Sequence, residues 1–125
     1  MDVTPRISSD SKVIQAYKDG QFKVSGENFS SSVMVFPAVV KPWSAAENIN
    51  QLTEEDFAPI IAAKGDFEVL LIGTGADFAF LAPELKAFLQ KNGITPELMN
   101  TGAACRTFNV LLSEGRKVCA AMLPA

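Results

Sequence analysis

The chain has 125 residues, 48% apolar and 20% charged, which suits one compact domain with a real core and leaves no room for a second. A net charge of -3 and a pI near 4.9 disfavour non-specific binding along a phosphate backbone, so no nucleic-acid partner is expected. Histidine is absent, which excludes Ser-His-Asp triads, Cys-His dyads and histidine-based metal sites, and no metal or cofactor is expected.

Residues 1–11 are rich in Ser, Asp and Pro and read as a loose arm, with a single α/β domain over 12–125. Residues 12–18 and 21–25 flank Asp19-Gly20, a dipeptide suited to the positive φ angles of a tight hairpin turn. Phe22 and Val24 alternate with polar neighbours, so this hairpin lies over a core with one face wet. Residues 32–36, apolar without interruption from Val33, predict a central strand ended by Pro37. Residues 38–50 are irregular, with a helical turn expected over 44–47 and Trp43 packing at the edge of a core.

Thr53 or Asp56 caps the next helix, whose apolar stripe is Phe57, Ile60 and Ile61, with Pro59 tolerated in the first turn. Residues 67–72 form the clearest buried strand and run into Gly73-Thr74-Gly75. Pro83 and Glu84 open a helix lined by Leu85, Phe88 and Leu89, and Gly93 stops it. A strand over 95–99 leads to Thr101 as cap of a helix through Ser113, bearing Ala104, Phe108, Leu111 and Leu112. Residues 116–123 close the chain as a strand. The second half therefore reads strand-helix-strand-helix-strand, a mixed or parallel sheet covered by helices.

Two loops leave strand ends and enter helices, residues 73–77 and 100–104, and parallel neighbouring strands would open both on one edge, where α/β proteins bind ligands. Thr101 as a cap, with Gly102, Ala103 and Ala104 permitting close approach and Arg106 and Arg116 adding charge, would make an anion site together with Gly73, Thr74 and Gly75. The same residues also suit a purely structural role, in which Thr101 only caps and the small residues only permit helix-on-sheet packing. Phe78 stands where the third glycine of G-x-G-x-x-G belongs, so a dinucleotide fingerprint is not completed. Cys105 beside Arg106 at a helix start invites a lowered thiol pKa; with no base or resolving partner in view it reads instead as a buried structural cysteine. Cys105 and Cys119 show no disulfide or zinc spacing. Glu114 and Arg116, straddling Gly115, read as a solvated pair at a helix end.

No apolar run approaches the roughly 20 residues that cross a bilayer. The first residues carry neither a basic signal start nor an Arg-rich transit peptide, so a bacterial cytoplasmic protein is expected. Ile72-Gly-Thr-Gly75, Thr101-Gly-Ala-Ala-Cys-Arg-Thr-Phe-Asn109, Leu111-Leu-Ser-Glu-Gly-Arg116 and Val118-Cys-Ala-Ala-Met-Leu-Pro124 resemble, in the same order, the small-domain family whose mitochondrial member is NADH dehydrogenase (complex I) assembly factor 3. The resemblance implies a three-layer α/β domain with a mixed central sheet and an added N-terminal β-hairpin, bacterial members that are uncharacterised, and no established catalytic residues. It also implies a protein partner in membrane-complex biogenesis. The residues and the resemblance together favour a non-catalytic binding or assembly module. The alternative is a small-anion or metabolite-binding domain, enzymatic or not, with its pocket at residues 73–75 and 101–106; the oligomeric state is left open.

Overall fold

The computed structural model describes residues 12–125, and the arm predicted over 1–11 lies outside them. Asp19 and Gly20 take φ values of 56° and 74°, the pair of positive angles that a two-residue turn matched to strand twist requires. They join β1 (Ile14–Lys18) to β2 (Gln21–Val24) as an antiparallel pair. Ser25 and Gly26 repeat the device at 45° and 89°, turning the chain into β3 (Glu27–Phe29). The predicted hairpin is thus a three-stranded antiparallel sheet, with Phe22 and Val24 buried beneath it.

A second sheet has the order β5-β4-β8-β6-β7, formed by β4 (Val33–Val35), β5 (Val40–Pro42), β6 (Val69–Gly73), β7 (Pro96–Met99) and β8 (Val118–Met122). β6 runs parallel to both β7 and β8, whereas β4 is antiparallel to β5 and β8, so the sheet is mixed. Side chains alternate across it between two cores. Met34, Leu70, Ile72, Cys119 and Ala121 enter one core; Val33, Val35, Leu71, Val118, Ala120 and Met122 enter the other. β8 is buried at every position, so its alternation separates two dry faces rather than a dry face from a wet one.

The first core is closed by α1 (Ala58–Ala62), with Pro59 in its first turn, and by α2 (Pro83–Lys91), which buries Leu85 and Leu89. Gly93, at φ 81°, releases the chain after α2. The Asp56 carboxylate accepts the Thr53 backbone N–H at 2.8 Å, fixing the short 3-10 turn Glu54–Phe57 ahead of α1. Trp43 sits at the core edge, its ring 5.6 Å from that of Phe57 and its Nε1–H donated to the Asp56 carbonyl at 2.8 Å. No helical turn forms over 44–47: the backbone only bends there, and the helical turn is the 3-10 segment Ile49–Gln51, where Asn48 supplies the cap. β5, too short for a pattern and ended by its own proline, emerges from the stretch read as irregular.

The second core lies between the central sheet, α3 (Thr101–Ser113) and the three-stranded sheet. Asn109 of α3 clamps β1 there. Its Oδ1 accepts the Ile14 N–H at 3.0 Å and its Nδ2 donates to the Ile14 carbonyl at 2.7 Å, so one side-chain amide does the work of a neighbouring strand. Replacing Asn109 with Ala removes both bonds and is expected to cost about 1–3 kcal/mol in urea unfolding. Faster amide exchange at Ile14 and its partner Val24 than at Ile72 would show the small sheet loosening first.

Candidate functional site

Because β6 and β7 are parallel neighbours, their C-terminal loops open on the same sheet edge, as the loop pattern predicts. What fills that edge is a set of hydrogen bonds centred on Thr101, which is fully buried. Its Oγ1 accepts the Gly75 N–H at 2.9 Å and donates to the Leu123 carbonyl at 2.7 Å; its backbone N–H donates to the Gly75 carbonyl at 2.8 Å. Leu123 N–H closes the circuit on the Gly73 carbonyl at 2.9 Å. One hydroxyl therefore joins the ends of β6 and β8 to the start of α3. Gly73 is glycine for this reason: a Cβ there would lie 2.8 Å from Met122 Sδ and 2.9 Å from Thr101 Oγ1. Gly75, at φ 112°, supplies the backbone angle that turns its N–H inward. Among the described residues no buried side-chain nitrogen or oxygen lacks a partner.

Thr101 is not the cap of α3. Asn100 takes that role, its Oδ1 accepting the Ala103 N–H at 2.8 Å, which leaves the threonine hydroxyl free to turn into the sheet. On the outer side of the first turn, Gly102 makes room for Tyr17 of β1: a Cβ would meet the ring at 3.1 Å. The Tyr17 hydroxyl accepts a 2.7 Å bond from the exposed Arg106 guanidinium. Gly73, Thr74, Gly75, Thr101, Ala104 and Cys105 are buried together, whereas Gly102, Ala103 and Arg106 reach solvent.

Arg116 does not join them. It lies beyond the C-terminal end of α3 and pairs with Glu68, not with Glu114 as its spacing suggested, and its guanidinium bond holds the Glu68 carboxyl below the usual carboxylate range. Cys105 is the buried structural cysteine that its surroundings suggested. Burial pushes its thiol up to about 12, overriding the opposite pull of Arg106. Cys119 is raised by burial too, and the two thiols occupy cores on opposite faces of the sheet. No cluster of Cys, Asp and Glu able to hold a metal ion occurs among the described residues.

The loop between β6 and α2 holds a feature that sequence reading missed. Thr74 pins it, donating to the Asp77 carbonyl at 2.8 Å and accepting the Ala79 N–H at 3.1 Å. Ala79 and Leu81 then point into the first core, which turns Phe78 and Phe80 outward, 49% and 79% exposed. Their rings meet edge to face at 4.9 Å. The available signal was Phe-Ala-Phe-Leu in alternation, directly after a glycine turn and outside any helix or strand.

Residues 14–123 match the model of the family described as "Protein of unknown function (DUF498/DUF598)". An uncharacterized protein of Rhodobacter capsulatus is 36% identical over 111 residues, 89% of this chain and 83% of its own. A zebrafish (Danio rerio) relative, 30% identical over 99% of this chain and 71% of its own, bears the name NADH dehydrogenase [ubiquinone] 1 alpha subcomplex assembly factor 3. Among solved structures, a Bartonella henselae protein described as an outer membrane protein superposes with a TM-score of 0.83 at 34% identity, covering 91% of this chain and 95% of that one. A Bordetella pertussis protein described as an Mth938-like domain gives 0.76 at 28% identity, over 99% and 92%.

The Thr101 circuit makes a sharp mutational pattern. Thr101→Val keeps the shape but strands the Gly75 N–H and the Leu123 carbonyl, and should cost about 2–4 kcal/mol in chemical unfolding, while Thr101→Ser retains most of the stability. Gly73→Ala should cost about 1–3 kcal/mol by overpacking. The Cys105 thiol carries a sign as well. Its folded pKa lies above the ordinary value, so its contribution is complete below about pH 9 and declines as pH rises towards about 12, by up to about 1.4 kcal/mol per pH unit. Unfolding curves of wild type and Cys105→Ala across that range should converge as the pH increases.

Proposed function

The chain belongs to the DUF498/DUF598 family of proteins of unknown function, and from that premise we propose that it is a non-catalytic binding module of the assembly type, whose partner is a protein in the biogenesis of a membrane complex. The observation that carries the reading is the Phe78–Phe80 pair. Two aromatic rings held in water by a pinned loop are a standing cost to an isolated protein and a ready anchor for a partner. The names of the animal relatives supply the direction, since they are those of assembly factors of an NADH dehydrogenase. The partner class is therefore a subunit, or another assembly protein, of a respiratory NADH dehydrogenase.

The chemistry inside the fold points the same way. With no histidine in its 125 residues and both thiols raised by burial, the chain has few groups suited to proton transfer near neutrality. A small-anion or metabolite site at residues 73–75 and 101–106 would draw mainly on Gly102, Ala103 and Arg106, because the others are enclosed. No helix among the described residues is long and apolar enough to cross a membrane, and the reading sets the protein to work from the cytoplasm on a membrane-bound client.

Affinity capture of the tagged protein from its native cells in gentle detergent, with mass spectrometry of proteins and co-purified metabolites, tests this. The expected result is recovery of NADH dehydrogenase subunits or their assembly proteins, lost in Phe78→Ser/Phe80→Ser at roughly 2 kcal/mol or more per ring while the variant stays folded. Equal recovery by wild type and variant would remove the aromatic anchor. A stoichiometric small anion without such proteins, released by Arg106→Ala, would move the function to the start of α3.

A further inference from the structure

The opposite end of the five-stranded sheet carries a separate concavity. Phe36 follows β4 and Lys117 precedes β8, two antiparallel neighbours, so this end lies away from the edge where Gly73 pairs with Met122. The turn linking β4 to β5, closed by a 2.7 Å bond from the Phe36 N–H to the Val39 carbonyl, faces α1 across a groove of about 650 Å³. That volume lies in the range of small-ligand sites. Its lining is mixed, more apolar than polar, and shaped largely by small residues. Val39 reaches it 43% exposed, opposite Pro59 and Ala62, and the buried Phe36 forms part of the floor.

Charge gives the groove a polarity. Lys41 from β5 and Lys117 from the start of β8 line it, against a single carboxylate, Asp66, on a chain whose net charge is -3. Aliphatic surface in a groove lined by two lysines matches a ligand with an apolar body and one anionic end. Lysine suits that role, since its flexible stem can lie along apolar surface while the ammonium meets the charge. We propose that this groove binds a small amphipathic carboxylate of the fatty-acid type, with the alkyl chain along Val39 and Ala62 and the carboxylate between Lys41 and Lys117. The site is independent of the Phe78–Phe80 surface and of the assembly reading.

Titration of ¹⁵N-labelled full-length protein with octanoate, followed by amide shifts, tests the proposal. Saturable shifts are expected at Ala38, Val39, Ala62 and Gly65, with a Kd in the micromolar to millimolar range. Lys41→Glu/Lys117→Glu, two changes at exposed positions, should weaken binding about tenfold or more, and Ala62→Trp should abolish it by filling the groove. Octan-1-ol, the neutral counterpart, should bind more weakly than octanoate. Absence of saturable shifts at these amides, shifts confined to Phe78 and Phe80, or equal affinity for alcohol and carboxylate would each overturn it.

Discussion

A single buried hydroxyl, that of Thr101, sets the arrangement on which the rest of this structure depends. It bonds to Gly75 and to Leu123 at once, and so fixes the ends of the two central parallel strands against the start of the longest helix. A side chain enclosed this completely must satisfy both its donor and its acceptor, because either one left bare would cost about 1–3 kcal/mol. The consequences spread outward along the chain. Gly73 must lack a side chain, Gly75 must take a positive φ, and Asn100 must cap the helix in place of the threonine. The small residues that resemble a ligand cradle in sequence are those that let backbone and backbone approach this closely.

Away from that joint the fold leaves an aromatic surface exposed. The loop that Thr74 pins alternates Ala79 and Leu81 inward with Phe78 and Phe80 outward, so anchoring on one side forces aromatic exposure on the other. The two-core construction explains the rest of the rigidity. Each central strand feeds both faces of the sheet, and the two cysteines, Cys105 from the helix and Cys119 from the strand, are consigned to different cores. Neither contributes a thiolate near neutral pH, because each is deprived of water.

Much of this was legible in the residues. The run Val69–Gly73 is apolar at successive positions because both of its faces are dry, and Asp19-Gly20 can hardly be read as anything but a tight turn. The short strands were not legible. Glu27–Phe29 and Val40–Pro42 are three residues each, too few for periodicity, and they exist because longer neighbours offer them a ladder. The sequence points to Thr101 as the cap of α3, whereas Asn100 beside it takes that role. The choice is made by Leu123, 22 positions away, whose carbonyl claims the threonine hydroxyl. Likewise Arg116 looked like a neighbour of Glu114, while the fold brings it Glu68 from the start of another strand. Long-range partners of this kind have no imprint in local spacing.

Native-state amide exchange followed by NMR probes the Thr101 circuit directly, through the amides of Gly75, Thr101 and Leu123. If the circuit is an integral part of the fold, all three exchange only through global unfolding, with protection equal to that of Leu71 and Ala120 in the central strands. Rapid exchange at Gly75 and Leu123 while those strands stay protected would mean that the edge opens in the native state, and would contradict the account of it as a closed structural joint.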